Sequence, residues 1–219
     1  MKILITGAST YGVKNLGDDA MLLTLVQQIK ELIPNSEIVF ICRHPSEKYD
    51  LEFGFRSIKN FDHNKREESI GRYFYGFNKG DKNEHSLKLI NEFKDADLLI
   101  LGGNLFMEIS DNSLMRGVSA YSTLMTTIAK LFGVDIVLYG LNVVSQIKSQ
   151  TTINHCKYVI SNASRISLRE KNALDNIYRL GIQPSNAKIC GDPAWGIEVK
   201  PELNLSKSIL KRNKIDLDD

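Results

Sequence analysis

Lys2-Ile-Leu-Ile-Thr-Gly7, followed by Tyr11-Gly12-Val13-Lys14-Asn15-Leu16-Gly17-Asp18-Asp19-Ala20, is the stretch whose reading decides the fold. The first part is an apolar strand pattern and the second is a glycine-bearing turn. Beyond it Leu22, Leu25, Val26, Ile29, Leu32 and Ile33 recur at helical spacing until Pro34-Asn35 ends the run. The unit is therefore strand, turn, amphipathic helix. The first amide N–H groups of a helix are unpaired and favour negative charge. Asp18 and Asp19 thus stand where a nucleotide phosphate would otherwise bind. Gly7, Gly12 and Gly17 are spaced too widely for a dinucleotide fingerprint, and no Walker lysine follows the strand. The turn reads as a site element and not as a phosphate cradle. A second role is open to each acid, that of stabilising the helix end by up to about 1 kcal/mol.

Working outward, the same alternation repeats along the chain. Strand patterns occur at Glu37–Cys42, Asp97–Leu101, Ile136–Tyr139, Arg165–Glu170 and Ala187–Cys190. Helical patterns lie near 84–94 and 119–132, the latter stopped by Gly133, and others flank the Arg165 strand, with Gly181 closing the later one. Arg56 to Asn83 reads as a polar surface excursion carrying a helix, with the aromatic cluster Tyr73-Phe74-Tyr75-Phe77 either packing it down or contacting a sugar or a neighbouring domain. Such alternation predicts an α/β, Rossmann-like fold: a mainly parallel sheet with helices on both faces. In parallel sheets the ligand crevice lies outside the carboxyl ends of the strands. The punctuation after each strand then shares one rim: Gly12 and Asp18, Gly102-Gly103-Asn104, Gly140-Leu141-Asn142, Arg169-Glu170 and Gly191-Asp192-Pro193.

Composition excludes some classes of function. The 219 residues, 42% hydrophobic, fit one large domain or one and a fraction, with a real core. A net charge of +2, with basic and acidic residues interleaved, gives neither a nucleic-acid platform nor a polybasic membrane anchor. No apolar run approaches the roughly 18 to 20 residues that span a bilayer, so any membrane association is expected to be peripheral. Cys42, Cys156 and Cys190 are odd in number and lack metal-ligand spacing, which reads as buried free thiols in a reducing compartment, the cytoplasm. His44, His63, His85 and His155 show no zinc pairing. His44 follows a strand end, as a rim ligand or as a solvated loop residue.

The order Asn15-x-Gly17-Asp18-Asp19-Ala20, Ala96-Asp97-x-x-Ile100-Leu101-Gly102-Gly103, Ile166-Ser167-x-Arg169-Glu170 and Asp192-Pro193-Ala194 resembles the polysaccharide pyruvyl transferases over nearly the whole chain. The resemblance implies one half of a GT-B-type arrangement of two Rossmann-like domains. Residues 1–197 would form the amino-terminal domain, and 198–219 a polar tail or the start of a linker to a second domain. It also implies transfer of a pyruvyl group from phosphoenolpyruvate, as donor substrate with no cofactor, to sugar hydroxyls as a ketal. The acceptor would be a sugar or lipid-linked oligosaccharide at the inner face of the membrane. The partner would be a second half or separate subunit, where the family is expected to hold phosphoenolpyruvate with an arginine and histidine pair. Two loops depart from the family pattern: Gly102-Gly103-Asn104-Leu105-Phe106-Met107-Glu108 lacks a third glycine, and Gly140-Leu141-Asn142-Val143-Val144-Ser145-Gln146 lacks a Gly-Pro.

Onto this sequence the chemistry assigns Asp18, Asp19 and Arg169 as catalytic. Carboxylates accept hydroxyl protons, and a guanidinium holds carboxylate or phosphate bidentately. Gly12, Asn15, Gly17, Gly102, Gly103, Asn104, Asn142, Glu170 and Asp192 are assigned to substrate binding, and no residue to a metal. Lys14 either adds charge near a donor phosphate or is a loop surface residue. Arg169 has a competing role as the ion-pair partner of Glu170, Asp192 or Asp18, and Asp192 one as a turn initiator. A non-catalytic α/β binding module or subunit, and a glycosyltransferase half using a nucleotide-sugar, are the alternative functions.

Overall fold

The computed structural model describes residues 1–7, 16–60, 84–106, 117–144 and 146–197. Gly12, Lys14, Asn15, His63, the aromatic cluster at 73–77 and the 198–219 tail lie outside the described residues. The elements in chain order are β1 (Lys2–Thr6), α1 (Leu16–Leu32), β2 (Glu37–Cys42), α2 (Glu47–Phe53), β3 (Arg56–Lys59) and α3 (Glu84–Phe93). They continue with β4 (Leu98–Gly102), α4 (Gly117–Leu131), β5 (Asp135–Leu141), α5 (Gln150–Asn162), β6 (Arg165–Leu168), α6 (Lys171–Arg179) and β7 (Ala187–Ile189). A 3₁₀ turn, Pro193–Gly196, follows. The described strands form one seven-stranded sheet in the order β3-β2-β1-β4-β5-β6-β7, and every pairing among them is parallel.

Side-chain alternation in the strands explains the two layers. Ile3 and Ile5 face the same side as Phe40 and Ile100, where Leu22, Leu25, Val26 and Ile29 of α1 cover them. Leu4, Val39, Leu99, Leu101, Leu138 and Ile166 face the other side, under Phe93 of α3, Met125 of α4, Val159 of α5 and Ile177 of α6. Both faces are dry, as a parallel sheet requires. Each fully buried aliphatic or aromatic side chain contributes about 1.5–3 kcal/mol relative to exposure.

The amino edge is tied by charge. Lys2 Nζ lies 2.9 Å from Glu92 and 3.0 Å from Asp95, and its backbone N–H donates to Asp97 Oδ2 at 2.7 Å. Arg56 grips both oxygens of Glu92, at 2.8 and 2.9 Å, and one of Glu37 at 2.9 Å. The Arg56 hydrogen bonds, reinforced by Lys2, hold the Glu92 carboxyl below its usual range.

Two expectations are corrected. Arg56–Lys59 belongs to the sheet as its edge strand β3, preceded by the short helix α2, and not to a polar excursion. An edge strand has one neighbour and needs little apolar content, and α2 has no buried residue, so neither carries a strong pattern. Cys42 and Cys156 are buried as free thiols, but Cys190 is exposed, because it follows the outermost strand β7.

Candidate functional site

The sheet order reverses between β1 and β4, and in an open parallel sheet the ligand crevice lies at the carboxyl edge beside that reversal. Gly7 leaves β1 with φ +81°. A Cβ there would lie 2.8 Å from Leu105 Cδ2 and 3.0 Å from the Gly102 carbonyl oxygen. Only glycine lets the β1 exit turn against the β4 exit this closely. Thr6 anchors it from below, sharing a 2.8 Å hydrogen bond with the Tyr121 hydroxyl and donating to the Ile41 carbonyl.

β5 was expected to end at Tyr139, but it continues through Leu141. Between Leu138, paired with Ile166, and Leu141, paired with Leu168, β5 carries one residue more than β6. The extra residue is accommodated by a bulge in which Gly140 has φ +59°. Its N–H donates to Ser167 Oγ at 2.9 Å, and its carbonyl accepts from Arg169 Nε at 3.1 Å. A bulge re-aims the groups around it, and this one turns a backbone carbonyl toward the guanidinium at the end of β6.

Arg169 is further held by Asp192, whose Oδ2 lies 3.5 Å from Nη1, and its Nη2 points at Met21 Sδ in α1. The other oxygen of Asp192 accepts the Ala194 N–H at 2.9 Å and caps the 3₁₀ turn. Asp192 therefore acts both as turn initiator and as arginine partner. The turn lies on α1: a Cβ on Gly196 would sit 2.6 Å from Thr24 Cγ2, and Pro193 touches Gly140. It leaves Trp195 90% exposed. Tyr139 donates its hydroxyl to Gln28 Oε1 at 3.1 Å, and burial, with the charges of Cys190 and Asp192, pushes the phenol up to about 12.

Asp18 and Asp19 occupy the first turn of α1, as the sequence reading requires. Burial raises the Asp18 carboxyl above its ordinary value, Arg169 opposes the rise and Asp19 adds to it. A carboxylate with a raised pKa is a stronger proton acceptor, and the guanidinium is close enough to be felt.

Predicted site residues thus fall into three groups. Asp18, Asp19, Arg169 and Asp192 gather on the α1 side of the carboxyl edge, with Gly17 exposed at the start of α1. Asn142 and Glu170 line a cavity of about 450 Å³ on the α6 side, with Asn172, Asp175, Asn176 and Arg179. Gly102 and Gly103 are buried, Gly103 donating to the Tyr139 carbonyl at 3.3 Å, while Asn104 beside them is exposed. His44 is an exposed residue after β2. Sequence reasoning missed Met21, Tyr139 and Ser167, and read Gly140 as a loop residue. A glycine inside an apolar run is the signal that marks a bulge. A cavity of about 520 Å³ between α1 and α2, lined by Val26, Lys30, Phe53 and Ile197, contains no strand-end residue. Among the described residues no cluster of three metal-ligating side chains occurs.

The parallel order and the reversal between β1 and β4 define a Rossmann-like α/β domain, with a charged rim at its carboxyl edge. The chain belongs to the polysaccharide pyruvyl transferase family, whose model matches residues 15–219. No curated protein matches it in sequence. Among solved structures it is similar to Anabaena HepE in complex with UDP and glucose, with a TM-score of 0.56 and 13% identity over 98% of this chain and 50% of that one. A UDP-N-acetylglucosamine 2-epimerase gives a TM-score of 0.57 and 12% identity, over 89% of this chain and 49% of that one. The UDP-GlcNAc 2-epimerase of Methanocaldococcus jannaschii gives 0.55 and 10%, over 88% and 46%. At these identities the likeness is one of fold, and the chain spans about half the length of the structures it matches.

Proposed function

We propose that this chain is the amino-terminal, GT-B-type half of a polysaccharide pyruvyl transferase, acting on a surface polysaccharide precursor. The pyruvyl group of phosphoenolpyruvate is delivered to a pair of sugar hydroxyls as a ketal. The observation that carries the reading is the Arg169–Asp192 pair, 3.5 Å apart, set beside the half-buried Asp18. In the reaction the enol methylene takes a proton and becomes a methyl group. The carbon so made cationic is attacked by one hydroxyl, which loses its proton. Phosphate then leaves with the C–O electron pair, and the second hydroxyl closes the ketal, losing its own proton.

Asp18 accepts a hydroxyl proton, which its raised pKa favours. Arg169 stabilises the donor's anionic oxygens through its planar fork. Asp192 holds that fork in place, and Asp19 supplies the second carboxylate. A second Rossmann-like half or subunit completes the cation set. The work takes place in the cytoplasm, at the inner membrane face where a lipid-linked acceptor is presented. Among the described residues no helix is long and apolar enough to cross a membrane.

A glycosyltransferase half is the second reading, favoured by the likeness to HepE, solved with UDP and glucose. Mass spectrometry of the full gene product incubated with phosphoenolpyruvate and lipid-linked sugars decides between them. A ketal adduct with phosphate release is expected. Sugar transfer from a UDP-sugar, with no ketal, overturns the proposal.

A further inference from the structure

The Arg169–Glu170 peptide separates two environments. The Arg169 side chain turns to α1 and the Gly140 bulge, while Glu170 lines the cavity on the α6 side. Adjacent Cα atoms are about 3.8 Å apart, so the two environments are neighbours on one rim. The end of β5 bridges them in the same way: Gly140 within the strand serves the guanidinium, and Asn142 just after it serves the cavity.

The cavity, about 450 Å³, lies within the range of small-molecule sites. It is a fixed structure. Asn176 is buried and donates Nδ2–H to the Val143 carbonyl at 2.7 Å, fastening the loop to α6, while its Oδ1 accepts from Arg179 Nη1 at 3.2 Å. The lining is rich in groups that bond hydroxyls: the amides of Asn142 and Asn172 both donate and accept, and the carboxylates of Glu170 and Asp175 accept. Val144, an exposed residue of the lining, adds an apolar surface suited to a sugar ring face.

Charge decides which ligand fits. Two carboxylates face one guanidinium, and that guanidinium is engaged by Asn176. Glu170 itself stands at the N-cap of α6, where an anion would otherwise be drawn by the helix end. A phosphate-bearing, multiply anionic donor is disfavoured, and a neutral polyhydroxylated ring is favoured.

We propose that the cavity between the β5 exit and α6 is a sugar subsite, holding a ring of the acceptor saccharide next to the ring that receives the pyruvyl group. Asn142, Asn172 and Asp175 select that ring through its hydroxyls. The inference rests on the pyruvyl-transferase reading for the word acceptor, but sugar binding is measurable without transfer. Saturation-transfer NMR on the 219-residue chain, with the methyl pyranosides of glucose, galactose and mannose and with phosphoenolpyruvate as competitor, provides the readout. At least one methyl pyranoside is expected to give a signal that the Asn172→Ala/Asp175→Ala double variant cuts about fivefold or more, with unchanged thermal melting and no competition by phosphoenolpyruvate. No signal from any of the three sugars, an unaffected double variant, or displacement by phosphoenolpyruvate overturns the subsite. Asn172→Asp/Asp175→Asn, which keeps hydroxyl-bonding groups at both positions, is expected to restore part of the signal and so separates recognition from misfolding; a signal as low as that of the double alanine variant counts against the subsite. Sugar binding that follows this pattern in a full gene product that makes no ketal supports the subsite and removes the pyruvyl reading. A full gene product that makes ketal with the same acceptor KM in wild type and double variant removes the subsite alone.

Discussion

Arg169 Nε donates to the Gly140 carbonyl at 3.1 Å, so the cation at the end of β6 is aimed by a bulge in β5. The catalytic assignment of Arg169 therefore depends on a neighbouring strand as well as on its own.

Arg169→Lys keeps the charge and loses the planar fork. In the full gene product kcat/KM is expected to fall by a factor equivalent to about 2–4 kcal/mol of transition-state stabilisation. Stability should fall by only about 1 kcal/mol, for the lost hydrogen bond to Gly140. Turnover and thermal melting, measured together, check this. Full turnover in the lysine variant would return Arg169 to a purely structural ion pair.

Asp18→Asn tests the base. The folded pKa of Asp18 is raised above the ordinary 3.8, so its contribution to stability is fully present below that value and is lost as pH rises through the folded pKa. Asparagine escapes that loss. The variant should melt no lower than wild type at neutral pH, with any advantage vanishing as pH drops below 3.8. Acceptor kinetics should nevertheless worsen, since asparagine cannot take a proton. Lower melting at neutral pH would count against a half-buried carboxylate.

Gly140→Ala places a Cβ 2.7 Å from Pro193 Cγ and 2.8 Å from Met21 Cε at φ +59°. A loss of about 1–3 kcal/mol from the backbone alone is expected, and more from the contacts. Gly133→Ala is the control: its φ is +71° but nothing lies within 4 Å of the added Cβ, so only the backbone cost remains. Urea unfolding should rank the two in that order.

Glu92→Gln should cost about 1–3 kcal/mol at neutral pH, because Lys2 and Arg56 lose a charged acceptor. The Glu92 pKa is lowered from 4.5, so its contribution is present above that value and fades as pH falls through the lower folded pKa. Melting curves of variant and wild type should therefore converge in acid.

Thiol labelling under native conditions should modify Cys190 and spare Cys42 and Cys156. Cys190 is exposed, and burial pushes the Cys42 thiol up to about 12. Labelling of all three before unfolding would contradict the packing of β2 and α5.

Strands with buried faces were legible because alternation and β-branching mark them: β1, β2, β4 and β6 stand where their apolar runs predicted, and β7, though it has no buried residue, stands at its predicted place too. The shared rim was legible too, since parallel topology puts the strand exits on one edge. What escaped is what depends on tertiary geometry. β3 contributes Arg56, Ser57, Ile58 and Lys59 at the sheet edge, too polar a run to announce a strand. The extension of β5 through Gly140 depends on Ser167, Pro193 and Met21, which come from three distant parts of the chain. The division of Arg169 from Glu170 between opposite sides of the rim follows from where α1 and α6 pack, and no local pattern encodes it.

The reversal between β1 and β4 has a consequence for assembly. Each flank of the sheet is built from strands close in sequence, β1 to β3 within residues 2–59 and β4 to β7 within 98–189, while the seam joins Lys2 to Asp97, 95 residues apart. Closing so long a loop is entropically the dearest step, so the flanks can form their βαβ units before the seam zips. A chain cut between Asn60 and Glu84 separates the two flanks, which meet again by pairing Ile3–Thr6 with Leu98–Leu101, with Arg56 on Glu92 and the 3₁₀ turn on α1. The strand ends that carry the candidate site belong to both flanks, so the two pieces rebuild that edge in the act of finding each other.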